Sequence, residues 1–402
     1  MIKTFFTNSY KPIGMDSFII TIFNRTFSTT SKKKELIIIE NYLLKDLQDH
    51  FFFNKKSKQW YEFNNGIWSN SHDIAVRGKI LTSLDALDSI KITASLLDKI
   101  EKCLRLLLAG DIDKKNVNGE KFLPFQNGVL NLNTHELLPY SNNQRFFYKY
   151  GVSYDPKAKM SIYFVAWLLQ MSQRNLLYLN IIRNFVYLLI TNNNSFKTAL
   201  YLYGPTDTYT FEEFLRSILS REGTASLGLS LLNDELYRFR LIHSSLLIIS
   251  DFNSKKNLSV LNNIIKSKTI TTRRNCNFEF QPSCLVLFTN NQIWPIISTV
   301  PEFSDHIIYL PLNKPKNFIF GLSTLDFFGN KTLFDSFPGF INWVLANPSD
   351  NLKLFEDIGK LNKRIDSNKI LNNNSLVNFN YFSGFLDISQ EEIDLLDNLD
   401  AY

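Results

Sequence analysis

The chain has 402 residues, enough for two or three domains, and 45% of them are hydrophobic, which excludes a globally disordered protein. Its three cysteines form no CxxC pair and its five histidines show no metal-binding spacing, so we expect no zinc site and a reducing compartment. Uninterrupted apolar stretches of about 18 residues do not occur, so no membrane-spanning helix is predicted.

The net charge of +6 is unevenly distributed. Residues 1–34 are basic, rich in hydroxyl groups and poor in acids, which is typical of either a cleaved transit peptide or a loosely ordered basic N-terminus. Residues 386–402 form an acidic tail, which is either a docking helix for a partner protein or a solvated terminus. The mildly basic remainder is compatible with binding to nucleic acid.

Asn, Lys and Ile are abundant, as AT-rich coding produces. This composition favours an organellar, plasmid or viral gene. We therefore expect the protein in a plastid (chloroplast) or a mitochondrion, with a viral or plasmid-borne protein in the cytoplasm as the alternative.

The first predicted elements come before residue 135. An amphipathic helix is predicted over residues 35–49, and residues 60–68 predict an aromatic hairpin about an Asn-Gly turn. Residues 75–109 show helical periodicity and lead into a polar loop at 111–120. A second Asn-Gly turn lies within residues 125–134 and leads into a strand.

The hydrophobic pattern changes after residue 198. Short apolar runs at 199–203, 246–249, 284–289 and 306–310 alternate with helical segments. Such alternation predicts an α/β fold with a central, mostly parallel sheet flanked by helices. A mainly helical domain is expected to precede this core.

Residues 197–211, KTALYLYGPTDTYTF, combine a strand, a glycine turn and a helix, the local architecture of a phosphate-binding loop. In the pattern G-x-x-x-x-G-K-[ST] counted from Gly204, however, Tyr209 replaces the second glycine, Thr210 the lysine and Phe211 the hydroxyl residue. The segment therefore predicts a nucleotide site with impaired catalysis. The candidate nucleotide-binding residues are Gly204, Pro205, Thr206, Asp207, Thr208 and Thr210.

The order of motifs over residues 58–350 resembles the superfamily 3 helicase domain of phage and plasmid primase–helicases and poxvirus-type nucleoside triphosphatases. The similar segments are 60–68, FQNGVLNLNT at 125–134, 202–205, 246–251, 278–295 and 337–343. The resemblance implies an AAA+-like P-loop NTPase core that uses ATP and Mg²⁺. It also implies a ring, usually a hexamer, that moves along DNA during replication of a mobile element.

The resemblance assigns roles to further residues. Asp251 follows an apolar strand, where the family holds Mg²⁺, and Asn290 ends a strand, where the family contacts the γ-phosphate or its attacking water. Lys266, Arg273 and Arg274 fall where the family grips single-stranded DNA with a hairpin. The alternatives are a turn-forming Asp251, a turn-forming Asn290 and a solvated basic loop.

A second loss accompanies the altered phosphate loop. The family places an arginine late in the sheet to enter the neighbouring subunit's site, but Asp305 and His306 stand in the matching stretch. An arginine finger contributes roughly 10³–10⁵ in rate. Together with the glycine-free Thr206–Tyr209 turn, this predicts weak or absent ATP hydrolysis.

We divide the chain into a basic tail at 1–34, a helicase-associated N-terminal domain at 35–175, an ATPase-like core at 176–315, a C-terminal helical region at 316–385 and the acidic tail at 386–402. The favoured interpretation is a degenerate DNA helicase-like replication protein. One alternative is an active helicase whose phosphate contacts come from Lys197 or a partner chain. The other is a non-enzymatic scaffold that assembles on DNA.

Overall fold

The structure is a computed structural model. It describes residues 42–85, 93–110, 121–204, 208–249, 258–274, 276–294, 303, 305–312, 334–346, 352–368, 377–387 and 389–393. These residues divide into two compact units: the first lies between residues 42 and 110, and the second comprises residues from 121 onward together with 56–58 and 64–69. Each unit is described by itself below.

A four-stranded sheet lies near the amino terminus, with strand order β3-β2-β1-β4. Its strands are β1 (Phe51–Asn54), β2 (Gln59–Asn64), β3 (Ile67–Ser71) and β4 (Ala109–Gly110). Asn65 and Gly66 join β2 to β3 with φ angles of 50° and 85°, the left-handed conformation that a tight Asn-Gly turn requires. The hairpin predicted at residues 60–68 is confirmed.

Two helices, α1 (Asp73–Asp85) and α2 (Ala94–Leu107), accompany this sheet, and residues 42–47 are also helical. Ile100 and Leu104 of α2 are buried, because residues at positions i and i+4 share one helix face. The helical prediction for 75–109 is confirmed over the described residues, while 86–92 and the loop at 111–120 lie outside them. The mainly helical architecture expected here needs correction, since aromatic strands with an Asn-Gly turn add a sheet.

The second unit opens with a small three-stranded sheet of β5 (Phe122–Phe125), β6 (Gly128–Asn131) and β7 (Leu137–Leu138), in the order β5-β6-β7. The predicted turn at Asn127-Gly128 is confirmed, because Phe125 pairs with Gly128 in antiparallel register. Two apolar helices follow, α3 (Ile162–Met171) and α4 (Leu176–Ile190), and both contribute to the larger core of this unit.

Seven strands continue the second unit: β8 (Ala199–Tyr203), β9 (Thr224–Ser226), β10 (Leu246–Ile249), β11 (Ile270–Arg273), β12 (Asn277–Phe280), β13 (Leu285–Asn290) and β14 (Ile307–Pro311). Five of them form one sheet in the order β14-β8-β13-β10-β9, and every pairing in it is parallel. The predicted parallel sheet is therefore confirmed. Strands β11 and β12 form a separate antiparallel hairpin.

Helices cover both faces of the parallel sheet. They are α5 (Thr208–Leu219), α6 (Glu235–Arg238), α7 (Leu258–Ile265), α8 (Phe337–Leu345) and α9 (Ile358–Asn368). Because neighbouring strand residues point to opposite faces, Leu200 and Leu202 join the core that contains α5, whereas Tyr201 joins the core that contains α7. Asn362 of α9 bonds the exposed edge of β14, accepting from the Tyr309 N–H at 3.1 Å and donating to the Ile307 carbonyl at 2.8 Å.

The start of the acidic tail packs on the second unit. Residues 390–393 are helical, and Ser389 and Glu392 form a reciprocal cap in which each side chain accepts the other residue's backbone N–H. Ile393 is buried in the larger core. Of the helices described, none combines the length and the apolar character that crossing a membrane requires.

Candidate functional site

Gly204 makes the bend at the carboxyl end of β8. Its φ angle is +142°, and its N–H donates to the Asn290 carbonyl at 3.2 Å. On the other side of β8, the Leu312 N–H donates to the Tyr203 carbonyl at 2.7 Å. A Cβ at position 204 would come well inside 3.0 Å of the Leu312 carbonyl oxygen, so only glycine fits. The predicted order of strand, glycine bend and helix is confirmed, with α5 beginning at Thr208.

The first turn of α5 shows what replaced the phosphate-binding groups. Tyr209, at the second glycine position, is 63% exposed. Thr210, at the lysine position, is buried, and Phe211, at the hydroxyl position, is fully buried with its ring centroid 6.5 Å from that of Trp167. An aromatic core residue therefore stands where the family places a hydroxyl group. Pro205, Thr206 and Asp207 lie outside the described residues.

Glu212 places a carboxylate beside this turn. The Thr289 hydroxyl donates to its Oε1, and Arg216 Nη2 lies 3.6 Å from its Oε2. Burial raises the pKa of Glu212, while the bonds from Thr289 and Arg216 oppose that rise. The pair ties α5 to the carboxyl end of β13. Sequence reasoning missed it, because a glutamate on an amphipathic helix is usually solvated; the signal was its apolar surroundings, Phe211, Phe214 and Leu215.

Asn290 ends β13 next to Gly204, as predicted. Its Oδ1 accepts the Asn291 N–H at 2.7 Å, and its side chain also bonds the Tyr201 hydroxyl. Tyr201 in turn donates to the Gln292 carbonyl at 3.1 Å and accepts from the Trp294 N–H at 3.0 Å. The amide thus holds the loop that follows β13. Its assigned role toward a γ-phosphate stays a prediction.

These residues decide how well a triphosphate and its Mg²⁺ fit. The bend at Gly204 and the start of α5 give the backbone shape, but the described donor set offers neither a lysine nor a hydroxyl at the two positions that hold the phosphates and the metal. Asp251, the predicted Mg²⁺ ligand, lies outside the described residues. The residues present do not fit a catalytic ATP site, and we derive no ATP-dependent step.

Lys197 and His306 lie at the opposite edge of the sheet. His306 precedes β14, and its Nδ1 is 3.0 Å from the Lys197 carbonyl oxygen. Burial lowers the pKa of His306, and the charges of Lys266 and Lys197 lower it further. Because the strands are parallel, the length of β8, about 16 Å, separates Lys197 from Gly204. Within one chain, Lys197 does not replace the missing phosphate-loop lysine.

The predicted DNA-binding cations fall in two places. Arg273 ends β11 and Arg274 follows it at the turn of the β11–β12 hairpin, and both are exposed. Lys266 follows α7 instead, where its charge acts on His306. The resemblance correctly predicted a hairpin between Asp251 and Asn290. Only the two arginines lie at its turn.

Residues 234–241 were missed by sequence reasoning, although they brace the hairpin. The buried Arg238 donates to the Thr271 carbonyl at 3.1 Å, and the Thr271 hydroxyl donates to Glu235 Oε1 at 2.8 Å. The Thr272 hydroxyl donates to the Glu235 carbonyl at 2.8 Å. The signal was the sequence ELYRFR at 235–240, in which arginines alternate with aromatic residues.

Comparison with known proteins agrees with this architecture. Residues 40–173 match the family described as "D5 N terminal like". The A form apo structure of the NrS-1 C terminal region is similar to 81% of this chain and 73% of its own, with 11% identity and a TM-score of 0.55. A further apo structure of that region has a TM-score of 0.54 over the same shares, also at 11% identity. At such identity the likeness concerns the fold alone. No curated protein matches the sequence.

The family match and the shared fold cover the segments on which the resemblance rests, and the resemblance is confirmed at that level. The chain is a replication protein of the phage and plasmid primase–helicase-like type, with its D5 N terminal like region at residues 40–173.

Proposed function

We propose that this protein is a degenerate superfamily 3 helicase-like replication protein, one that binds single-stranded DNA while hydrolysing ATP weakly or not at all. The carrying observation is the placement of Phe211. A ring fully buried against Trp167 occupies the position of the magnesium-binding hydroxyl. Replacing that ring would disturb the core, so the loss belongs to the packing of this chain.

The topology supports an AAA+-like P-loop ancestry. Adjacent strands β8 and β13 send their connections in opposite directions, β8 toward β9 and β13 toward β14. In open parallel sheets, ligands bind at the carboxyl ends of strands where connections diverge in this way. Gly204, Thr289 and Asn290 all lie there.

Two features oppose efficient catalysis at that edge. The lysine and hydroxyl positions hold Thr210 and Phe211, and the arginine-finger stretch holds Asp305 and His306. Transferring a phosphoryl group requires cations at the developing charge. We propose that any ATP binds weakly and that Asp251 contributes at most a residual Mg²⁺ contact.

The arrangement of partners follows from the family. We propose single-stranded DNA as the ligand of the hairpin cations and a homo-oligomer, up to a hexamer, as the assembly. The AT-rich composition supports an origin in a plasmid, phage or virus and a location in a plastid or mitochondrion. Sedimentation of the purified protein with and without single-stranded DNA measures the assembly.

The experiment for the proposed function is a pair of binding titrations on the purified chain. A fluorescently labelled single-stranded oligonucleotide should bind at low salt, and a fluorescent ATP analogue should bind weakly, with little change when Mg²⁺ is added. Tight ATP binding that depends on Mg²⁺ contradicts the degeneracy. Absence of DNA binding at low salt removes the proposed ligand.

A further inference from the structure

Residues 234–241, called the bracing segment below, form one continuous surface with the β11–β12 hairpin. The bracing segment is fastened to β11 by the bonds from Arg238, Thr271 and Thr272 described above. Its position relative to the hairpin is therefore set by buried and half-buried hydrogen bonds. The exposed side chains of the two elements are held at defined positions.

Arginines and aromatic rings alternate on this surface. The Arg274 guanidinium lies over the Phe239 ring, 4.4 Å from its centroid, and the Arg240 guanidinium lies 5.9 Å from the centroid of Tyr237. Arg240, Arg273 and Arg274 are exposed, and Tyr237 is 36% exposed. Phe239 is half-buried under Arg274 and so serves as its support.

The neighbouring acids are mostly engaged within the protein. Asp234 accepts the Leu236 N–H at 2.9 Å as a helix cap, and Glu235 accepts from Thr271 while lying 3.9 Å from Arg238. Glu279 is exposed on the hairpin, directly opposite Thr271. The outward charge of the surface is set by three arginines and this one glutamate.

From this arrangement we infer that the bracing segment is part of the DNA-binding surface, with Tyr237 stacking on a base and Arg240 contacting phosphate beside Arg273 and Arg274. The inference rests on the proposed function and adds the second half of its DNA site. Surfaces that bind single strands without reading sequence combine cations along the backbone with exposed aromatic rings for the bases. Lys266, which lies near His306, is not part of it.

Single-stranded DNA is favoured over a protein partner because the rings and cations alternate. A protein interface of this size would bury an apolar centre, whereas here each described ring is paired with a guanidinium. Double-stranded DNA offers no unstacked base to Tyr237. We therefore expect a clear preference for single strands.

The test is fluorescence anisotropy with a labelled single-stranded oligonucleotide of mixed sequence and a matched abasic one. Tyr237→Ala should weaken binding to the normal strand by about fivefold to a hundredfold and leave abasic binding nearly unchanged. Tyr237→Phe keeps the ring and should restore binding. Tyr163→Ala, at a tyrosine on α3 that is 39% exposed, is the matched control and should behave as wild type.

Arg240→Gln provides a second variant that does not depend on the ring. It should weaken binding to normal and abasic strands alike, since phosphates are present in both. Glu279→Gln should tighten binding to both strands.

The outcomes separate the two levels of the proposal. Wild-type binding that Arg273→Gln weakens while Tyr237→Ala and Arg240→Gln leave it unchanged overturns the inference and keeps the proposed function. No wild-type binding to single-stranded DNA at low salt overturns both. Unchanged DNA affinity together with altered self-association of Tyr237→Ala identifies the surface as a protein interface and likewise overturns the inference.

Discussion

The carbonyl group of Leu312 fills the space in which a side chain on Gly204 would have to lie. The two residues sit at the carboxyl ends of adjacent strands, since Leu312 follows β14 and Gly204 follows β8. Glycine at this bend is thus explained by the packing of two strands. It is retained although the neighbouring phosphate-binding residues are absent.

Gly204→Ala should lower the free energy of unfolding by roughly 2–4 kcal/mol, because it combines a disfavoured backbone conformation with a forced shift of β14. Gly384→Ala, at a glycine with no atom within 4 Å of its added Cβ, is the matched control and should stay within about 0.5 kcal/mol of wild type. Chemical denaturation of the three proteins decides this, and equal stabilities would refute the packing argument.

Phe211→Thr should restore a hydroxyl residue to the phosphate loop and destabilise the protein by roughly 3–5 kcal/mol, as deletion of a buried ring does. The ring it removes is fully buried and lies 5.9 Å from the centroid of Phe214. Tyr209→Ala, at the exposed neighbouring position, should cost little. If both variants unfold at the same denaturant concentration, position 211 is not committed to the core.

Much of the parallel sheet could be predicted because its strands are apolar runs with helical segments between them. Strand β9 was missed, since Thr224, Ala225 and Ser226 form a short run without a large apolar residue. The small sheets were partly visible through their Asn-Gly turns. The strand order could not be derived from the pattern, because it depends on which distant runs pair.

The candidate site was predictable only where chemistry is local in sequence. Gly204 and Asn290 were identified at the ends of apolar runs, and the structure places them in direct backbone contact. The bonds of Glu212 to Thr289 and of Asn290 to Tyr201 join residues 77 and 89 positions apart, and no periodicity reports such pairs. The bracing of the hairpin by residues 234–241 was hidden for the same reason.

Arg273→Gln should reduce the salt dependence of single-stranded DNA binding. Each phosphate contact contributes about 0.7 to the slope of log affinity against log salt concentration, so the slope should fall by about that amount. Lys353→Gln, which removes an exposed cation from a different part of the second unit, should leave the slope unchanged. Titrations at several salt concentrations measure both slopes, and equal slopes for Arg273→Gln and wild type would remove this arginine from the phosphate contacts.

His243 should make the fold sensitive to acid. Its ring stacks on Phe147 with centroids 3.8 Å apart, and burial, with the charge of Arg274, lowers its pKa to about 3. Below pH 6.5 the unfolded chain binds a proton that the folded protein does not, so stability is lost as the pH falls from 6.5 toward 3.

His243→Phe keeps a stacking ring and removes this titration. The difference in unfolding free energy between variant and wild type should shift in favour of the variant below pH 6.5, by up to about 1.4 kcal/mol per pH unit. Urea unfolding at a series of pH values measures it. A difference that stays constant with pH would show that His243 titrates alike in both states.

The most direct measurement of the account is the rate of ATP hydrolysis by the purified full-length protein in the presence of Mg²⁺, with and without single-stranded DNA. Thr210 and Phe211 at the lysine and hydroxyl positions predict hydrolysis at background level that DNA does not stimulate. Hydrolysis at a helicase-like rate that rises on addition of single-stranded DNA would contradict it.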